Sequence, residues 1–123
     1  MPNYSPATST PALMPTFDEF QRIDMRVGTV LRADPFPAAK KPAIKMEIDF
    51  GAEIGIRRSS AQLTIHYTPD KLVGRQVIAV VNFPPRRIAT FDSEVLVLGA
   101  LPSAPEVVLL GVDHPVANGT KIG

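Results

Sequence analysis

Short segments of alternating polarity dominate this chain and restrict the folds that it can adopt. In residues 44–50, IKMEIDF, apolar side chains alternate with charged ones, which is the period of a strand with one buried face. Gly28 lies inside another such segment and predicts a bulge or a sharp bend there. Because only short helical signals separate the strands, the pattern favours a small β-barrel over βαβ units. The other predicted strands are residues 26–36, 56–61, 77–81, 95–98 and 107–112.

The chain reads as one domain preceded by a tail. Residues 1–15 are rich in Pro, Ser, Thr and Ala and lack apolar periodicity, so we predict a disordered tail before a domain of residues 16–123. Thr16 and Glu19 form the Thr-x-x-Glu pattern of a capping box and predict a short helix to about residue 23. A second short helix is predicted at residues 68–74. The apolar residues of the first helix are expected to pack on the domain, with partner binding as the alternative: Phe17, Phe20 and Ile23.

The residue types that catalysis and metal binding need are scarce and scattered. There is no cysteine, so disulfides and thiolate metal sites are excluded. His66 and His114 stand far apart without a ligand pattern, and no histidine or lysine is placed by sequence to activate Ser93. Neither a P-loop nor a dinucleotide-binding glycine motif occurs. The sequence therefore predicts a binding protein rather than an enzyme, with no metal and no cofactor.

Nothing in the sequence directs the chain to a membrane. No segment approaches the roughly 18 consecutive apolar residues of a membrane span. The N-terminus has neither the basic region nor the apolar core of a secretory signal. We therefore expect a cytoplasmic protein that does not insert into membranes.

Positive charge is concentrated beyond the N-terminal segment. The net charge of the 123-residue chain is only +1, but residues 21–123 hold all 13 basic residues and 10 of the 12 acidic ones, a net charge of +3. Clustered bases can build a basic face on a nearly neutral molecule, although paired bases also occur on inert surfaces. The candidate phosphate contacts are Lys40, Lys41, Lys45, Arg57, Arg58, Arg86 and Arg87.

Residues 82–94, predicted to be a loop between two strands, hold the densest polar chemistry. A Pro-Pro pair stiffens the backbone because each ring fixes φ, and Arg86 and Arg87 follow directly, which suits phosphate contact. A solvated loop with inactive arginines is an equally weighted alternative. Ser59 would suit a phosphate or a ribose, and would equally suit the cap of a helical turn. The candidate polar contacts are Ser59, Asn82 and Ser93.

Several short motifs carry a family resemblance in combination. They are SSAQ at residues 59–62, GRQV at 74–77, NFPPRR at 82–87 and SEVL at 93–96. Together they resemble the stand-alone tRNA-binding domain family, whose domain is also appended to some aminoacyl-tRNA synthetases. A second set is similar to the export-related chaperone branch of that family: FPxA from residue 36, PAIK from 42, DFG from 49 and the ending NGTKIG from 118. The resemblance covers residues 16–123.

The resemblance implies an all-β fold, a five-stranded OB-fold barrel with short helices and a C-terminal extension. It also implies a homodimer that binds tRNA by its structure and, for the chaperone branch, partners among unfolded precursor proteins and the secretion translocase ATPase. By position, Asn82, Arg86 and Ser93 match the RNA-contacting loop of the family. The chain departs from the wider family at Ser60, where glycine is usual, and in residues 93–96, SEVL, where Ser-x-Gly-Met is usual. The chaperone branch shares both departures. Glu94 thereby places an anionic group beside the predicted site.

Two functions follow as alternatives, and both can share one surface. The first is an RNA-binding module for tRNA, which uses the basic and polar residues above. The second is a chaperone that binds extended polypeptide in an apolar groove, with Phe83 and nearby aliphatic side chains as contacts. A homodimer is also expected from the residues themselves, since an apolar strand and a proline-rich ending follow the barrel after Gly99 and need a cover.

Overall fold

The computed structural model describes residues 14–123, so all but the last two residues of the predicted tail lie outside the described residues. The three helices are α1 (Phe17–Gln21), α2 (Gly51–Ile54) and α3 (Pro69–Leu72). The strands are β1 (Met25–Pro35), β2 (Ile44–Asp49), β3 (Ile56–Ala61), β4 (Gln76–Val80), β5 (Arg86–Ile88), β6 (Phe91–Ser93), β7 (Leu96–Val97), β8 (Gly99–Ala100), β9 (Val108–Leu109) and β10 (Lys121–Ile122). The fold is mainly β with short helices, as predicted.

Five strands form an antiparallel, nearly closed barrel of the OB type, which confirms the predicted fold. Their hydrogen-bonded order is β3-β2-β1-β4-β7, and β10 also pairs with β1. The long β1 pairs with β4 through residues 25–29 and with β2 through residues 29–35. Its register against β2 shifts between Val30 and Arg32, so the predicted irregularity lies there and not at Gly28.

Gly28 is needed for a different reason, the close approach of β2. A Cβ at this position would lie 2.6 Å from Cγ2 of Ile48 and 2.7 Å from the ring of Phe50. Both of these side chains are 0 % exposed. A larger residue at 28 would therefore have to displace the tightly packed interior of the barrel.

The alternating face of β2 forms the centre of the core, as the sequence pattern predicted. Its inward side chains are buried together with Phe50, which follows the strand. Leu63 and Leu72, from the connection between β3 and β4, complete the same cluster. Burial of each such side chain contributes about 1.5–3 kcal/mol. The buried β2 residues are Ile44, Met46 and Ile48.

Helix α1 forms as predicted but does not pack as predicted. Thr16 Oγ1 accepts a hydrogen bond from the Glu19 amide, and Glu19 Oε1 accepts one from the Thr16 amide, which is the capping box. Phe17 is nevertheless 70 % exposed and Phe20 is 40 % exposed, so the predicted packing of this face is wrong. The two rings stack on each other, with centroids 6.4 Å apart. Helical spacing aligns side chains on a face, but it does not supply a surface to cover them.

The remaining helices are single turns. Helix α2 follows β2 after Phe50, and α3 begins at Pro69 after Thr68, as predicted. The Thr68 hydroxyl donates to Oδ1 of Asp70 at 2.5 Å instead of capping a backbone amide. That hydrogen bond holds the pKa of Asp70 below its ordinary value. Within residues 14–123, no helix combines the length and the apolar character that crossing a membrane requires.

The segment between β4 and β7 contains a β-hairpin where the sequence predicted a loop. Strand β5 pairs with β6 from Arg86 opposite Ser93 to Ile88 opposite Phe91. Ala89 and Thr90 make the two-residue turn, and Ala89 has a φ of 53°, in the left-handed region that such turns need. The usual sequence signal, Asn-Gly or Asp-Gly, is absent here. For this reason the sequence did not indicate the hairpin.

The C-terminal extension is tied back to the barrel. Strands β8 and β9 pair with each other, so the predicted strand at 107–112 is only two residues long. The hydroxyl of Thr29 donates to Oδ1 of Asn118 at 2.7 Å. Gly119 has a φ of +91°, and a Cβ there would lie 2.6 Å from the carbonyl oxygen of Phe50. The ending therefore needs glycine at 119 to lie against α2 and β1.

Candidate nucleic-acid interface

An open groove of about 800 Å³ lies beside the β5–β6 hairpin. We call it the hairpin groove. It is lined by the β1–β2 connection, the end of β3, strand β5, residues 96–99 and Leu101. In OB folds, the face of the second and third strands and the loops beside it are the usual ligand surface. Its aliphatic floor includes Ala61, Ile88, Leu96, Leu98, Leu101 and Val107.

Four of the predicted phosphate-binding residues line this groove. Lys40 and Lys41 belong to the β1–β2 connection, and Arg86 and Arg87 belong to β5. All four are exposed, and among residues 14–123 no acidic residue lines the groove. In the part of the chain that the structure describes, the one ion pair among them joins Arg87 to Asp92 at 2.9 Å. The groove therefore combines four cations, which we call its rim, with an aliphatic lining, which we call its floor.

Two further predicted cations gather around aromatic rings next to the hairpin. Lys45 Nζ lies 5.1 Å from the ring centroid of Phe36 and 5.7 Å from that of Phe91. The guanidinium of Arg58 lies 5.2 Å from the centroid of Phe91. These are cation–π distances, and the two rings meet edge to face at 5.4 Å. We call Phe36, Lys45, Arg58 and Phe91 the aromatic–cation cluster.

The hydroxyls of the two predicted serine contacts are engaged inside the barrel. Ser59 is buried and donates to the carbonyl of Val95 at 3.2 Å. Ser93 is also buried, and its Oγ accepts a hydrogen bond from the Ser60 amide at 3.0 Å. These bonds join β3 to the end of β6 and to Val95 before β7, where the barrel lacks a continuous strand ladder. In this structure their hydroxyls therefore help to close the barrel.

Asn82 and Arg57 also have partners within the chain. The side-chain amide of Asn82 accepts a hydrogen bond from the Asp24 amide at 2.9 Å and donates one to the carbonyl of Arg22 at 2.7 Å. It thus fixes the segment between α1 and β1. Arg57 donates to the carbonyl of Ile54, and it points away from the face of its neighbour Arg58, because side chains alternate along a strand.

Phe83, the predicted polypeptide contact, lines a smaller depression next to the groove. This depression has a volume of about 290 Å³ and shares Arg86, Ile88 and Leu96 with the hairpin groove. Phe83 is 43 % exposed. The structure therefore brings the candidate polypeptide contact and the candidate RNA contacts onto adjoining surfaces.

Sequence reasoning missed two groups of residues at this site. Phe91 was not singled out, although an aromatic close to basic residues is a recognised signal for nucleic-acid contact. The aliphatic floor was predicted only as unnamed neighbours of Phe83. No local pattern identifies it, because Ile88, Leu96 and Leu101 meet only after the hairpin and β7 fold together.

The described residues contain no grouped ligands for a metal. Within residues 14–123, no three His, Cys, Asp or Glu side chains come together in a way that could hold an ion. His66 Nε2 lies 2.6 Å from Oε2 of Glu106, and His114 lies beside Asp113. The site is therefore defined by its charge, its apolar floor and its rings, in an OB-type binding domain.

Comparison with known proteins agrees with this class. Residues 25–121 match the family described as "Putative tRNA binding domain". The chain belongs to this tRNA-binding domain family. It is similar in sequence and structure to CsaA chaperones, as its motifs predicted.

The individual matches cover most of this chain. The chaperone CsaA of Bacillus anthracis is 54% identical, with a TM-score of 0.86 over 89% of this chain and 99% of that protein. The CsaA chaperone of Picrophilus torridus is 47% identical, with a TM-score of 0.82 over 89% of this chain and 100% of that one. A methionine–tRNA ligase of Rhodopirellula baltica is 36% identical over 87% of this chain. The chain spans only 16% of the length of that ligase.

Proposed function

We propose that this protein is a homodimeric tRNA-binding protein of the CsaA type, cytoplasmic and with a chaperone activity linked to protein export. The observation that carries the RNA-binding part is the hairpin groove. Four cations from two separate elements meet there, and no acidic side chain of the described part of the chain lines the groove. Membership of the tRNA-binding domain family supports the same ligand.

The proposed RNA contacts divide by their chemistry. Lys40, Lys41, Arg86 and Arg87 bind phosphates at the rim, where each contact releases counterions. Lys45 and Arg58 extend the positive surface along the face of β2 and β3. Phe91 holds both cations and offers a ring edge to a base. Ser59, Asn82, Ser93 and Arg57, whose side chains have partners in the chain, act by shaping this surface.

A polypeptide-binding function is the second proposal, and the apolar floor of the groove favours it. Leu96 is 49 % exposed and Leu101 is 73 % exposed, and apolar side chains grouped at a groove mark a binding surface. Similarity to CsaA chaperones supports unfolded precursor proteins, and through them the secretion translocase ATPase, as partners. We do not propose catalysis, because the match to methionine–tRNA ligases covers a small part of each enzyme.

We infer that the homodimer covers apolar surface outside the barrel. Val108, Leu110 and Val116 in the C-terminal extension are each more than a third exposed, as are the rings of α1. Sedimentation equilibrium at micromolar concentration is expected to give about twice the chain mass of 13.3 kDa. A mass of one chain would contradict the homodimer.

The experiment for RNA binding is a tRNA gel-shift series at graded salt with the variant Arg86→Ala/Arg87→Ala. We expect affinity to fall by roughly tenfold or more at low salt and the salt slope to flatten by about 1–2 units, because two phosphate contacts are lost. The matched control, Lys71→Ala/Lys121→Ala, removes the same charge outside the groove. If the arginine variant folds and binds like the parent, the hairpin is not the RNA site.

A further inference from the structure

We propose that the hairpin groove selects extended polypeptide segments in which aliphatic side chains are interspersed with acidic ones, and that these segments compete with RNA for the same cations. This inference rests on the polypeptide-binding part of the proposed function. It adds the chemical class of the segment and its relation to RNA. Three features of the groove carry it: its floor, its rim and the edge of β5.

The floor of the groove suits aliphatic side chains better than bases. Ile88, Leu96 and Leu101 lie on it, and none of the aromatic residues within 14–123 lines the groove. Bases bind single-strand surfaces chiefly by stacking on aromatic rings, and the rings at this site belong to the neighbouring aromatic–cation cluster. The aliphatic floor is therefore not explained by RNA binding, whereas it would remove leucine or valine side chains of a polypeptide from water.

The rim sets the sign of the charge that a bound segment can carry. Lys40, Lys41 and Arg86 take part in no ion pair among the described residues, and Asp92, which pairs with Arg87, does not line the groove. Acidic side chains placed beside the apolar ones would meet four cations. Lysine or arginine at the same places would meet like charges with no counter-charge on the groove wall.

The edge of β5 can form backbone hydrogen bonds with an extended segment. Within the described residues β5 pairs only with β6. Ile88 and Phe91 flank the two-residue turn, so they form the hydrogen-bonded pair and the backbone of Arg87 faces outward. An added strand uses such an edge for backbone hydrogen bonds and the adjoining surface for alternate side chains.

Two consequences follow from the shared cations. RNA and an acidic–aliphatic segment cannot both use Arg86 and Arg87, so each should displace the other. The groove should also reject basic segments, including the positively charged start of a secretory signal. The favoured part of an unfolded precursor is then an acidic, aliphatic stretch elsewhere in its chain.

The test uses the full-length protein and three fluorescent twelve-residue peptides with one leucine–valine pattern. Their intervening residues are Asp and Glu, Lys and Arg, or Ser and Gln. We expect the acidic peptide to bind at least about tenfold more tightly than the basic one by fluorescence anisotropy, and tRNA to displace it. Lys40→Glu/Lys41→Glu should abolish or reverse this preference. Leu96→Asp should weaken binding of the acidic peptide by about tenfold or more.

The outcomes separate this inference from the function on which it rests. Equal binding of the acidic and basic peptides would contradict selection by charge but would still support polypeptide binding. If none of the peptides binds while tRNA does, polypeptide binding itself fails. If the acidic peptide binds but tRNA does not displace it, the inference that peptide and RNA use the same cations is wrong. If Leu96→Asp converts a dimer into a monomer, the groove belongs to a second copy of this chain and the proposal is wrong.

Discussion

Glu94 and the backbone of Arg58 form a reciprocal pair of hydrogen bonds that closes the barrel. The Arg58 amide donates to Glu94 Oε1 at 2.9 Å, and the Glu94 amide donates to the Arg58 carbonyl at 2.8 Å. The Arg58 guanidinium lies 3.7 Å from the same carboxylate oxygen. One carboxylate thus substitutes for a missing strand partner and lowers the positive charge at the edge of the proposed RNA surface.

Two replacements of Glu94 should distinguish the contribution of its hydrogen bond to stability from the contribution of its charge. Glu94→Ala removes the acceptor for the Arg58 amide and should lower the free energy of unfolding by about 1 kcal/mol, since the site is partly exposed. Glu94→Gln keeps an acceptor oxygen and should cost less than about 0.5 kcal/mol. Urea unfolding of both variants measures the difference. Equal losses would mean that the charge, and not the hydrogen bond, closes the barrel here.

Glu94→Gln should also strengthen RNA binding. A unit charge about 4 Å from another in water contributes about 1 kcal/mol, and removal of this one leaves the Arg58 guanidinium available to a phosphate. We expect tRNA affinity at low salt to rise by about two- to fivefold in a gel-shift series. Glu106→Gln, at an acidic residue that does not line the groove, is the control. Unchanged affinity would place Arg58 outside the RNA contact.

Gly28→Ala should destabilise the barrel without touching the binding surface. The new methyl group would lie within 2.7 Å of two completely buried side chains, and such overpacking costs about 1–3 kcal/mol. Gly111→Ala is the matched control, because a Cβ there meets nothing within 4 Å. Thermal and urea unfolding of the two variants compare them. A Gly28 variant as stable as the control would show that the interior yields more easily than its packing indicates.

Ala89 offers a stabilising substitution at the tip of the hairpin. Its φ of 53° is unfavourable for alanine and better tolerated by asparagine. Ala89→Asn should therefore raise the free energy of unfolding by about 0.5–1 kcal/mol. Ala89→Val should lower it, because a β-branched residue is strained at positive φ. The two changes are measured by the shift in denaturation midpoint, and shifts of the same sign would contradict this reason.

Asn82→Ala should loosen the junction between α1 and β1. Both amide hydrogen bonds of the side chain are lost, which should cost about 1 kcal/mol at this exposed site. Hydrogen exchange at the Asp24 amide, the donor to Asn82, reports the loss directly. A fall in tRNA affinity with unchanged exchange at Asp24 would instead indicate that Asn82 contacts RNA.

The sequence by itself determined the elements that depend on near neighbours. Alternation at residues 44–50 predicted the central strand, because side chains of a strand point to opposite faces in turn. Thr16 and Glu19 predicted the start of α1, because a capping box is satisfied within three residues. The family motifs indicated a five-stranded OB-fold barrel and the class of protein, both of which the structure and the comparisons confirm.

Only the tertiary structure decided on which surface each side chain lies and which residues it contacts. Ser93 and Asn82 were predicted as RNA contacts by position, yet the atoms that engage them belong to residues 33 and 58 positions away. Phe17 has the spacing of a core residue, but no other element among the described residues covers it. Lys40 and Arg86 share a groove because two separate connections fold to the same face of the barrel. Such contacts depend on the pairing of distant strands, and that pairing leaves no local pattern in the sequence.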